Sequence, residues 1–64
     1  MDPNENLKQQ LVLAARILRD EYESPLDFAH DAARLANLVE ALNEWVVSGG
    51  FVPDAWRPRV TTSR

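Results

Sequence analysis

The chain has 64 residues, 45% apolar and 27% charged, with a formal charge of −3 and no cysteine. The length allows one domain at most, and the missing cysteine excludes disulfide staples and thiolate chemistry. Residues 1–50 carry nine acids against four bases, whereas residues 51–64 carry Asp54 against Arg57, Arg59 and Arg64; an acidic body argues against a general nucleic-acid binder, whose basic side chains cluster on one face.

The first predicted element is a helix over about residues 5–23. Asn4 is a good N-cap, and Glu5 suits the positive end of the helix dipole. Leu7, Leu11, Ala14, Leu18 and Tyr22 recur at spacings of three and four, so they share a face. Leu13, Ala15 and Ile17 widen the apolar arc to roughly 200°. Glu23-Ser24-Pro25-Leu26-Asp27 then breaks the chain: Ser24 is an N-cap, Pro25 the first helical residue, and Asp27 stands where a capping box usually has Glu or Gln. Proline also disfavours helical geometry at Ser24. So short a connection makes the flanking helices antiparallel neighbours.

The second helix is predicted over about residues 25–48, with Gly49 placed to take the left-handed conformation that stops it. Phe28, Ala32, Leu35, Val39, Leu42 and Val46 form a heptad seam. The seam is expected to pack as a core with Leu11 and Leu18. Leu38 and Trp45 form a parallel row on one flank. Phe51 to Arg59 contains two aromatics and Pro53-Asp54, which suits a turn. Its aromatics are expected to fold back on the helices. The organisation is therefore a helical hairpin over residues 1–50 and an aromatic turn with a basic tail over residues 51–64.

No constellation for catalysis emerges. Gly49-Gly50 follows a helix and precedes no helix with a phosphate-binding lysine. Ser24 has no base beside it. Asp27, His30 and Asp31 share one side of the second helix at spacings a metal would accept, but no inward glutamates complete a site. They are read instead as carboxylates at a helix N-terminus, a solvent-facing His30 and an Asp31–Arg34 pair. Glu40 and Glu44 are read as a solvated face. The chain is thus expected to be no enzyme and to hold no cofactor or metal.

A chain this short buries only about 60% of its unfolded surface and usually needs a staple. With disulfides and metal set aside, a partner chain remains. Both apolar arcs are wider than one neighbouring helix can cover. The fold class expected is all-α: an antiparallel two-helix hairpin that dimerises into a four-helix bundle, with the C-terminal turn packed back. Leu13, Ile17, Leu38, Trp45 and Trp56 are assigned to the interchain or partner surface, tryptophan being enriched at binding hot spots. The function expected is binding of another protein by a homodimer. The alternative is a small DNA-associated factor that uses the Arg57, Arg59 and Arg64 tail, although the exposed side of the second helix lacks the basic side chains of a recognition helix. No segment reaches the length of a membrane span, and the N-terminus has no basic start with an apolar run, so a cytoplasmic location is expected.

The segment Leu42 to Trp56 resembles the end of small uncharacterised proteins encoded by bacteriophages and actinobacteria, on Gly49, Gly50, Pro53 and Trp56. The resemblance covers about a quarter of the chain. It implies a phage-type accessory protein working in the host cytoplasm on a host or phage protein, and it brings no site residue with it.

Overall fold

The computed structural model describes residues 1–58. Helix α1 spans Pro3–Arg19, helix α2 spans Pro25–Val47, and a 3₁₀ turn spans Asp54–Trp56; no strand occurs among the described residues. The N-cap of α1 is Asp2 and not Asn4: its carboxylate accepts from the backbone N–H groups of Asn4 (3.0 Å) and Glu5 (3.2 Å), with Pro3 at the first helical position. The Asn4 side chain, released from capping, reaches the far end of the chain instead, where its oxygen accepts the Asp54 backbone N–H at 2.7 Å.

α1 stops at Arg19, short of Tyr22 or Glu23. Asp20 takes the left-handed conformation, φ 55°, and donates its N–H to the Arg16 carbonyl. Aspartate tolerates this region better than most residues. Continuing the helix would place Asp20, Glu21 and Glu23 at its negative end, where carboxylates are unfavourable, while Arg16 and Arg19 suit the last turn as it stands. α2 begins as the Ser24-Pro25 pair predicts: the Ser24 hydroxyl accepts the Leu26 N–H at 3.1 Å.

The end of α2 is a Schellman motif. Gly49, at φ 101°, donates to the Val46 carbonyl, and Gly50 donates to that of Trp45. The Trp45 indole then lies over Gly50, donates to the Phe51 carbonyl at 2.9 Å and meets the Phe51 ring edge-on at 5.7 Å. A Cβ on Gly50 would overlap this pinned indole. Gly50→Ala is therefore expected to lower stability by about 1–3 kcal/mol, the usual range for overpacking, seen as a lower urea midpoint by circular dichroism. An unchanged midpoint would mean that the indole moves aside freely.

The helices run antiparallel, because their cross-partners pair in reverse order: Asn6 with Leu38, Gln9 with Arg34, Arg16 with Asp31. The seam between them differs from the expected one. On α1 it is Asn6, Gln10, Leu13 and Ile17; on α2 it is Asp31, Leu35, Leu38, Leu42 and Trp45, all buried or half-buried. Leu13 and Leu42 are the enclosed large aliphatics, at 3% and 2% exposure. Leu11 and Leu18, expected in the core, are 62% and 84% exposed. Polar members explain the shift. The Asn6 amide donates to the Leu38 carbonyl at 3.1 Å and accepts from Gln10 at 2.7 Å, so a buried asparagine is satisfied inside the seam.

The result is one layer of helices. The Cα trace measures 13 Å in its thinnest direction and has a radius of gyration of 14.8 Å, against about 10–11 Å for a compact domain of this length.

Candidate interaction surface

Rotating both helices away from the expected seam leaves their most apolar stripes elsewhere. At roughly 100° per residue, Leu7, Leu11, Ala14 and Leu18 lie about 100° past the α1 seam, and Phe28, Ala32, Val39 and Val46 about 75° past the α2 seam. Viewed from one end, residues advance clockwise along one helix and anticlockwise along its antiparallel neighbour. Both stripes therefore turn to the same side of the layer. The 3₁₀ turn corroborates this: Ala55 borders the surface of Leu7, Leu11 and Ala15, and its neighbour Trp56 borders that of Val39, Leu42 and Val46.

This face is largely apolar, with Lys8 at its α1 edge beside Leu7, Leu11 and Ala15, and Glu40 and Glu44 beside Val39 at its α2 edge. Leu11, Leu18, Phe28 and Val39 stand exposed on it, and Trp56 is 51% exposed at its edge.

The opposite face is polar and closed by bonds between the helices. Asp31, 7% exposed, accepts from Arg16 through Nε (3.1 Å) and Nη2 (2.8 Å), and from the Tyr22 hydroxyl (2.6 Å). Beside it Arg34 donates to Gln9 at 3.3 Å. Asp31 thus pairs with Arg16 across the seam and not with Arg34, because the early end of α1 swings Tyr22 back over α2, where its ring meets Phe28 edge-on at 5.4 Å. The Tyr22 and then the Arg16 hydrogen bonds hold the Asp31 carboxyl below its usual range, and the bond to Asp31, followed by burial, raises Tyr22 above its own. These shifts set a pH profile. The Asp31 contribution is present above the unfolded carboxylate pKa, about 3.9, and disappears as pH falls through the lower folded value. The Tyr22 contribution is complete below about pH 10 and is lost as pH rises through the higher folded value. Urea midpoints should therefore drop at both extremes, and Asp31→Asn should flatten the acid limb; an acid limb unaltered in Asp31→Asn would place its origin elsewhere.

The five residues assigned to an outer surface from sequence are scattered. Leu13 is enclosed within the hairpin. Ile17, Leu38 and Trp45 are half-buried along the seam, and Trp56 alone of the five borders the apolar face. The sequence reading missed Asn6 and Gln10 as seam residues and Tyr22 as a partner of Asp31. The spacing of Asn6, Gln10, Leu13 and Ile17 held the signal, hidden by its two amides.

His30, Glu40 and Glu44 are exposed. Among the described residues no group of three or more potential ligands could hold a metal, and no helix is long and apolar enough to cross a membrane. Arg57 lies 3.6 Å from Asp54; Arg59 and Arg64 lie outside the described residues. No known protein family, curated protein or solved structure matches the chain.

Proposed function

We propose that this protein is a non-enzymatic interaction module that works as a homodimer, two hairpins pairing their apolar faces into a four-helix bundle. The observation that supports the reading is the gathering of exposed apolar side chains, Leu11, Leu18, Phe28 and Val39, on one side of the layer. An apolar face of this kind suits an apolar occupant, and a second copy supplies one. Helices of 17 and 23 residues, about 25 and 35 Å long and about 9 Å apart, present a footprint of roughly 540 Å² per copy. A pair would bury about 1,100 Å², just above the roughly 1,000 Å² that a biological interface needs.

The Asn4–Asp54 and Trp45–Phe51 contacts favour a C-terminal turn that packs back on its own chain and closes the terminal end of each hairpin. The dimer is then the unit that meets a further protein, of host or phage origin if the Gly49-Gly50 resemblance holds. Nucleic-acid contact through the arginine tail has weaker support, since Arg57 already sits beside Asp54.

Light scattering over a concentration series tests the reading. The expected mass is twice the 7.3 kDa of one chain, falling towards the monomer only on dilution. A monomer mass throughout overturns it.

A further inference from the structure

We propose that the two copies stack end for end, each seating its Ala55-Trp56 turn on the partner's loop end, where Leu18 lies bare and Phe28 is covered on one side only, by Tyr22. This rests on the homodimer reading and adds its geometry.

The apolar face is stepped along its length. At the end holding the chain termini, the 3₁₀ turn is fastened by the Asp54 N–H to Asn4 and stands on the face, with Ala55 on the α1 side and Trp56 on the α2 side. At the loop end nothing covers Leu18, which is 84% exposed. Two face-to-face orientations preserve two-fold symmetry. With the axis parallel to the helices, both turns meet at one end and hold the loop ends apart, so Leu18 stays in water. With the axis across the helices, each raised turn enters the other copy's recess and both steps are filled.

The second arrangement also matches residue to residue. It places α1 against the partner's α1 and α2 against the partner's α2. Leu18 then meets Ala55 of the other copy, and Phe28 meets Trp56. An indole half exposed in its own chain becomes the buried anchor of the pair, as tryptophan often is in protein interfaces.

The chain has no cysteine, so single introduced thiols report position without interference. Leu18→Cys is mixed with Ala55→Cys, and separately with Phe28→Cys. Each mixture is oxidised mildly, the cross-links are assigned by mass spectrometry, and the mass of each variant is followed by light scattering. The expected result is a dimer mass with an 18–55 cross-link as the major mixed product. A dimer that forms an 18–28 cross-link instead, or neither, overturns the end-for-end orientation and leaves the dimer standing. A monomer mass for the unmodified chain overturns the dimer reading itself.

Discussion

Leu42→Ala is expected to abolish the cooperative unfolding transition and most of the helical circular dichroism at room temperature. Leu42 is 2% exposed and sits in mid-seam, and the other enclosed large aliphatic is Leu13. Truncating an enclosed leucine costs about 2–5 kcal/mol, from lost transfer energy and the cavity left behind. A scaffold of this size seldom has more than about 3–5 kcal/mol to lose. Isolated helices of 17 and 23 residues are marginal without tertiary packing, so helicity should vanish with the seam. The control is Leu18→Ala, the same chemical change at an exposed site. It should leave the folding of the single hairpin intact and act only on association. Measured at equal chain concentration by urea titration at 222 nm, the two variants separate core from surface. A Leu42→Ala midpoint close to the parent's would place the core elsewhere.

What the sequence revealed depended on the range of the forces involved. The Ser24-Pro25 start and the Gly49 stop are local chemistry, set by a hydroxyl within reach of a backbone N–H and a residue that accepts positive φ; both were readable. The antiparallel hairpin followed from the short connection. The rotation of each helix about its own axis was not readable, because it depends on partners far apart in sequence. Apolar periodicity paired Leu11 and Leu18 with Phe28 and Val39 as a core. The chain instead satisfies Asn6 on the Leu38 carbonyl and Asp31 on Arg16 and Tyr22, and turns those apolar stripes outward. Periodicity weighs a polar side chain against burial, yet a hydrogen-bonded amide or a carboxylate with three donor atoms can lie in a seam at little cost. The same asymmetry gives the surface its meaning: the polar groups close the hairpin, and the strongest apolar stripes remain for a second layer. The apolar arcs are indeed wider than one hairpin buries, although the residues chosen for the outer surface mostly belong to the seam.

Leu18→Glu should convert the dimer to a monomer at concentrations where the parent chain is fully paired. At 84% exposure in the single hairpin, the new carboxylate meets water and does not disturb the chain's own fold. In the proposed pair it would be withdrawn from water against the partner's Ala55-Trp56 turn, where the neighbouring Arg57 is already 3.6 Å from Asp54. Leaving a buried charge unpaired costs about 3–5 kcal/mol, and a two-fold interface contains the substitution twice. Even one such term weakens association by more than about a hundredfold, at 1.4 kcal/mol per decade. Leu18→Lys should act in the same direction. That excludes a trivial effect of added negative charge on an acidic chain, since lysine brings the formal charge of −3 closer to zero. Leu13→Glu, by contrast, should unfold the hairpin, because that side chain has no outward path. The ordering to look for by light scattering and circular dichroism together is a folded, dissociated Leu18→Glu, an equally dissociated Leu18→Lys and an unfolded Leu13→Glu. A Leu18→Glu that keeps the dimer mass at the parent's concentration range would show that the apolar face is not what joins the two copies.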